Sequence, residues 1–240
     1  MTMREVKLRY RQRIADGTMA FHFSKPDDFS FKPGQAIDVV LPAAKFSDGA
    51  SNRHAFSIVS APFEATLTVA TRMRDSVYKR ALNSLQIEAS AAIDGPFGSL
   101  TLHRNRARPA ILIAGGIGIT PFMSIVRQAV HDQLPQKLLL LYSNHRPEDA
   151  AYLAELTELE RVNGNFQLLA TMTAMNRSSQ TWFQLAGRID GNLIRKVSRG
   201  DVTPVYYVTG SPSMVSSMRK QLNEAGIDDD DIRSEEFLGY

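Results

Sequence analysis

The sequence predicts two unlike halves: an antiparallel, six-stranded β-barrel with one capping helix, followed by an α/β domain with a parallel sheet. Two observations carry this. In the first half, apolar residues alternate one by one with polar ones, the period-two pattern of strands with one face in a core and one in water. In the second half, continuous apolar runs alternate with amphipathic helical segments, as in a parallel sheet covered on both faces. At 240 residues the chain is long enough to bury a core in one large or two small domains.

The elements follow in order. Val6, Leu8 and Tyr10 alternate with charged residues, and Leu67, Val69 and Thr71 alternate with Thr68 and Ala70. Pro33-Gly34 and Asp94-Gly95-Pro96 read as turns between strands. Val77, Ala81, Leu82 and Leu85 share one helical face, with Asp75 and Ser76 placed as N-cap residues before it. The polar, basic stretch His103–Pro109 reads as a linker, which divides the chain into residues 1–103 and 104–240. Ile111–Ile113 is then a buried strand, and Phe122, Ile125, Val126, Ala129 and Val130 form a helical face. Leu138–Leu141, Phe166–Ala170 and Val205–Val208 are further buried strands. Pro147 opens a helix carrying Leu153, Leu156 and Leu159; Met214, Val215, Met218 and Leu222 form another, which Gly226 caps.

Composition excludes several functions. The chain has no cysteine, so it carries no disulfide framework, no thiolate-held iron–sulfur cluster and no catalytic thiol. No histidine pair has the spacing of a zinc site on one helix. The net charge is +3 and spread along the chain, without the basic stripe that nucleic-acid binding needs. The longest apolar stretch, Ala110–Ile119, is too short for the ~20 residues of a membrane span. The charged N-terminus does not read as a secretory signal, so the expected location is cytoplasmic.

The sharpest motif is Ala114-Gly115-Gly116-Ile117-Gly118-Ile119-Thr120-Pro121, between a buried strand and a helix. Glycines let backbone approach a pyrophosphate, and a helix N-terminus supplies free N–H groups and a positive dipole. Pro121 suits the first helical turn, but it stands where the usual dinucleotide fingerprint has its third glycine. Earlier in the chain, Phe56-Ser57 ends a barrel strand. An aromatic face suits a flat ring, and a hydroxyl can both donate and accept. Ala70-Thr71-Arg72 leads through a loop to Ser76 at a helix start, and Thr209-Gly210-Ser211-Pro212-Ser213-Met214 joins a strand to a helix.

In this order the motifs resemble the ferredoxin–NADP reductase superfamily, over nearly the whole chain from Val6 to Tyr240. That family carries Gly-Gly-x-Gly-x-Thr-Pro at the glycine turn and Arg-x-Tyr-Ser-x-x-Ser at the flavin. The resemblance implies a stand-alone flavoprotein, with FAD in the barrel and NADH or NADPH on the α/β domain. Phe56 would lie against the flavin, with Ala55 beside it and Ser57 near N5. The family's arginine falls on His54, with Arg53 one residue earlier. Neighbouring strand residues point to opposite faces. Either His54 takes the pyrophosphate, or a bulge brings Arg53 round. The resemblance gives flavin contacts to Ala70, Thr71 and Arg72 and the pyrophosphate to Ser76, which also suits a simple cap; the Asp75 side chain should cap the helix. Gly210 and Ser211 fall in the nicotinamide motif, where Thr209 replaces a cysteine and its hydroxyl would bond a carboxamide. Glu235 would meet the nicotinamide edge, with Phe237 or Tyr240 covering the flavin. Ser57 and Glu235 are the catalytic candidates.

Ser143, Asn144, Thr171 and Thr173 fall at the strand ends that hold the adenosine ribose in the family. Plant-type NADPH users place an arginine where this chain has Met172 and Thr173. That omission leans to NADH, with Arg146 and Arg177 as the cations on the other side of the balance. Electrons would leave to a separate redox protein such as a ferredoxin, a flavodoxin or an oxygenase component. Two other readings stay open: a reductase whose flavin is a diffusing substrate, and an FAD-binding electron-transfer subunit of a larger complex.

Overall fold

The structure is a computed structural model that describes residues 3–46, 50–200 and 202–237. The first half contains β1 (Arg4–Ala15), β2 (Thr18–Ser24), β3 (Ala36–Val40), β4 (Arg53–Ser57), β5 (Thr66–Arg72), α1 (Val77–Asn83) and β6 (Ser90–Phe97). Its strands pair antiparallel in the order β4-β3-β6-β1-β2-β5. An isolated bridge between Ile58, just after β4, and Val69 of β5 brings the two edges of the sheet together. Leu8, Phe21, Phe23, Ile37, Val39, Leu67 and Val69 fill the interior, and α1 plugs one end with Tyr78, Ala81 and Leu82.

The second half contains β7 (Ala110–Gly115), α2 (Ile119–His131), β8 (Leu138–Asn144), α3 (Leu153–Val162), β9 (Phe166–Met172), β10 (Leu185–Ala186), α4 (Gly191–Val197), β11 (Val205–Gly210), α5 (Pro212–Glu224) and β12 (Ile232–Glu236). The sheet order is β10-β9-β8-β7-β11-β12, and every pair is parallel. The chain starts in the middle, works outward through β8 to β10, then returns to β11 on the other side. The strand order therefore reverses between β7 and β11, the crevice where open α/β sheets bind ligands. Two layers cover the sheet. Leu112, Leu140 and Tyr207 pack on α2, and Ile111, Ile113, Tyr206 and Val208 pack toward α4 and α5.

Several expectations need correction. Thr68, Val69, Ala70 and Thr71 of β5 are all buried, so this strand has no water face. Its outer side, with Ala20 and Val59, packs against Phe122 and Val126 of α2 in a core shared by both halves. Strand periodicity misleads there because the second surface is another domain rather than water. Asp94-Gly95-Pro96 is not a turn: β6 continues through it to Phe97, with a register shift against β3 and a cis Gly95–Pro96 bond. Pro147 opens a short 3-10 turn, and the helix begins only at Leu153. Val77 is exposed, and Tyr78 takes the core position on α1. The His103–Pro109 stretch joins β6 to β7 and is anchored on the second half. His103 is buried against the Tyr207 hydroxyl at 2.9 Å, and Arg108 pairs with Asp231 at 2.8 Å. Gly226 follows α5 with φ +85°, as a C-terminal cap should.

Candidate functional site

A cleft lies between the two halves. From the barrel it is lined by His54, Ala55, Phe56 and Ser57 of β4, by Ala70, Thr71 and Arg72 of β5, by Lys79 of α1, and by Ala36 and Phe97. From the other half come Ile117, Thr120, Glu235, Glu236 and Phe237. Its volume is about 250 Å³. That is somewhat below the roughly 300–1,000 Å³ of common ligand pockets, and suits a flat ring system whose remaining parts run out along the rim.

Strand alternation builds one wall of the cleft. His54 and Phe56 lie on the same face of β4, with their rings stacked 4.7 Å apart. Tyr78 backs both rings, and its hydroxyl is anchored on the Val39 carbonyl at 2.8 Å. The β3–β4 register runs without a break from Ala36↔Ser57 to Val40↔Arg53, so no bulge turns Arg53 toward the cleft. Arg53 instead bridges Asp94 at 2.9 Å and Asp38 at 3.0 Å, and these bonds raise its already high pKa. Of the two candidates for the pyrophosphate, only His54 lines the cleft.

Ser57 is buried, and its Oγ has no hydrogen-bond partner among the described residues. A buried hydroxyl left this way costs roughly 1–3 kcal/mol. Ser76 does not line the cleft; it caps α1, its Oγ accepting from the Lys79 N–H at 3.2 Å. Asp75 pairs with Arg80 rather than capping. Glu235 enters from the far side on β12, opposite Thr209. Burial pushes its carboxyl up from the ordinary range. Phe237 continues the strand by donating its N–H to the Gly210 carbonyl at 2.9 Å. Tyr240 lies outside the described residues.

The second group of candidates lies along the C-terminal edge of the parallel sheet. Gly115 ends β7, Gly116 and Gly118 follow it, and Thr120 and Pro121 stand in the first turn of α2. Ser143 and Asn144 end β8, Thr171 lies near the end of β9 with Thr173 just beyond, Gly210 ends β11, and Ser211 caps α5. Asn144 is buried with both side-chain amide atoms unpartnered among the described residues. The hydroxyls of Thr171 and Thr173 are engaged within the fold, on the Gly187 carbonyl at 2.6 Å and on His145 Nδ1 at 2.9 Å.

The glycine turn is also set by packing within the fold. A Cβ on Gly118 would meet the Thr209 carbonyl oxygen at 2.6 Å and the Gly210 nitrogen at 2.9 Å. A Cβ on Gly115 or Gly210 would meet Met214 Sδ, at 2.2 and 2.5 Å. These glycines let the turn lie directly on β11 and on Met214. Thr209 is fully buried and donates its hydroxyl to the Gly118 carbonyl at 2.6 Å, so that hydroxyl is not presented to a carboxamide.

Sequence reasoning missed Lys79, Ala36, Phe97 and Glu236. Ala36 and Phe97 face each other across the β3–β6 pair, a contact between strands far apart in sequence. Lys79 follows the cap by three residues, off the apolar helical face that drew attention.

Residues 112–220 match the oxidoreductase NAD-binding domain family. The chain is 26% identical to ferredoxin–NADP reductase B of Sorangium cellulosum, over 84% of this chain and 83% of that protein. It is 24% identical to the reductase component of propane 2-monooxygenase from Mycolicibacterium smegmatis, over 89% of this chain but 61% of that protein. Its fold matches a ferredoxin NADP⁺ reductase from Neisseria gonorrhoeae with bound FAD and NADP, with a TM-score of 0.80, 21% identity and 98% coverage of both chains. It also matches a flavohemoglobin from Malassezia yamatoensis with bound FAD and heme, with a TM-score of 0.83 and 22% identity, over 99% of this chain and 60% of that one. The relatives so matched are oxidoreductases, and the two solved structures share the fold of this chain. No helix among the described residues is long and apolar enough to cross a membrane.

Proposed function

We propose that this ferredoxin reductase-like oxidoreductase holds FAD in the barrel, residues 1–103, takes reducing equivalents from NAD(P)H bound on residues 104–240, and passes electrons to a separate redox protein. The observation that carries the reading is the cleft itself. An aromatic wall and an unpartnered serine hydroxyl from the barrel face a half-buried carboxyl and a glycine turn from the parallel sheet. Bound FAD would supply the step from two-electron to one-electron chemistry, which no side chain here offers. Phe56 would support the flat ring, Ser57 would hydrogen-bond its edge, and Glu235 and Phe237 would close the nicotinamide side. Asn144 and the turn from Gly115 to Thr120 would hold the dinucleotide at the sheet edge. Two relatives, a ferredoxin–NADP reductase and a monooxygenase reductase component, favour a ferredoxin or an oxygenase component as acceptor.

The electrostatics of the sheet edge favour NADH over NADPH. A 2′-phosphate needs a cation beside the adenosine ribose. Arg146, the nearest candidate after β8, is held by Asp149 at 2.7 and 2.9 Å and by Asp16 at 3.3 Å. The hydrogen bond to Asp149, joined by the charges of Asp149, Glu148 and Asp16, raises its pKa and surrounds it with carboxylates. Steady-state reduction of ferricyanide by the purified chain tests both points. The expected result is turnover with both nucleotides and a higher kcat/KM for NADH. No turnover in an FAD-loaded sample would sink the proposed activity. A preference for NADPH above about tenfold, roughly 1.4 kcal/mol, would sink the cofactor assignment.

A further inference from the structure

We propose that a second cavity, between the barrel turn at Pro33, the His103–Pro109 connection and the C-terminal half of α2, binds a phosphate monoester with an apolar body. The cavity holds about 640 Å³, within the roughly 300–1,000 Å³ that encloses whole small molecules. It shares no lining residue with the cleft described above. It lies at the other end of α2 from the glycine turn, so the inference does not depend on the flavin reading.

Its charge is one-sided. Lys32 comes from the barrel, Arg104 and Arg106 from the connection, and Arg233 from β12, against the single carboxylate of Asp132. That carboxylate accepts from the Gln128 amide at 2.9 Å. Arg106 bonds the side-chain oxygen of Gln136 at 2.8 Å, and Arg233 bonds the Thr101 carbonyl at 2.9 Å. Both acceptors are neutral and leave the charge uncompensated. The Lys32 ammonium and the Arg104 guanidinium have no partner among the described residues. Arg108, in the same connection but outside the cavity lining, does have a carboxylate partner, Asp231, at 2.8 Å. Cations that three separate segments bring to one hollow focus a positive potential there. Buried His103 in the wall feels it: burial, and after it the charges of Arg233, Arg108 and Arg106, lower its pKa against a hydrogen bond to the Arg108 carbonyl that raises it.

The floor is apolar. Ile125 and Ala129 come from the core face of α2, with Leu102 and Leu134 half-buried beside them. An inorganic anion would leave that floor in water, whereas an ester with an aromatic or aliphatic body would cover it. A merely solvated basic stretch would have neither hollow nor floor. The walls are held in place by the fold. Gly34 has φ +93°, and a Cβ on it would run into the Leu100 carbonyl oxygen and lie 3.1 Å from Ile125 Cδ1, so the turn beside Lys32 is seated on both. The His103 N–H donates to the Tyr207 hydroxyl at 2.8 Å. A ligand would therefore meet a site that needs little ordering.

Calorimetric titration of the purified protein tests this, with naphthyl phosphate, naphthol and inorganic phosphate as probes. Naphthyl phosphate should bind at least about tenfold more tightly than either fragment, and its affinity should fall as salt is added. Lys32→Gln and Arg104→Gln should each weaken it by about tenfold, the lower end for a charge-assisted hydrogen bond, because both side chains are exposed. Neither variant removes a contact of the fold, so Tm should stay at the wild-type value. Lys220→Gln, an exposed lysine of α5 outside the cavity, should bind the ester as the wild type does. Wild-type affinity in the Lys32→Gln, Arg104→Gln double variant would overturn the inference, because the ester would then sit elsewhere. So would a wild-type protein that does not bind the ester. Inorganic phosphate binding as tightly as the ester would overturn the assigned ligand class.

Discussion

Gly118→Val should lower kcat/KM for NADH by at least about a hundredfold, roughly 2.7 kcal/mol, while the protein still binds FAD. The first atom of the new side chain would lie 2.6 Å from the Thr209 carbonyl oxygen and 2.7 Å from its carbon. Both are backbone, so no rotamer relieves the contact. The start of α2 or the end of β11 must move, and the hydrogen bond from Thr209 to the Gly118 carbonyl goes with it. These two turns flank the crevice between β7 and β11, so the displacement falls on the proposed dinucleotide site. FAD should still bind because the clash does not touch His54 to Ser57 of β4, the barrel's own wall of the cleft, although Ile117 and Thr120 line the cleft beside the displaced turn. Overpacking of this kind costs about 1–3 kcal/mol. For a chain of this size that lowers Tm by roughly 2–12 °C. Gly164→Ala is the control, since nothing lies within 4 Å of the added Cβ and its φ is ordinary. Wild-type kinetics and Tm in Gly118→Val would show that the turn does not rest on β11 as described.

Ser57→Ala should separate stability from function. The hydroxyl is buried without a partner, so its removal relieves a desolvation cost of about 1–3 kcal/mol in the apoprotein. The apo Tm should hold or rise, by about 2–4 °C for each kcal/mol. Flavin reduction by NADH, followed by stopped flow, should slow by about 10- to 100-fold, because the hydrogen bond to the ring edge is lost. FAD should stay bound through the pyrophosphate and the aromatic wall. A variant that reduces at wild-type speed would remove Ser57 from the reaction. A clear fall in apo Tm would mean that the hydroxyl supports the fold itself.

Much of this arrangement was legible in the residues. The runs at Ile111–Ile113 and Leu138–Leu141 read as buried strands because a parallel sheet with two covered faces leaves no polar positions. Ser76 read as a cap because its hydroxyl precedes a helical face. What failed depended on partners distant in sequence. The outer face of β5 looked like a water face because alternation cannot distinguish water from a neighbouring domain. Asp94-Gly95-Pro96 looked like a turn because Gly-Pro is a breaker locally, whereas pairing with β3 carries the strand through it. The choice between Arg53 and His54 needed the carboxylates Asp38 and Asp94, which sit 15 and 41 residues away from Arg53. The glycine turn was found for its phosphate chemistry, although its tightest contacts are with Thr209, Gly210 and Met214.

The most direct test of the central claim is an anaerobic titration of the purified chain, first with FAD and then with NADH. The account predicts about one FAD bound per chain after gel filtration, with a yellow absorbance band that a stoichiometric amount of NADH bleaches. Bleaching that is fast in the wild type and slow in Ser57→Ala would tie the chemistry to the cleft between the two halves. A colourless protein that gains no flavin spectrum with excess FAD would contradict the account. So would a bound flavin that neither NADH nor NADPH reduces.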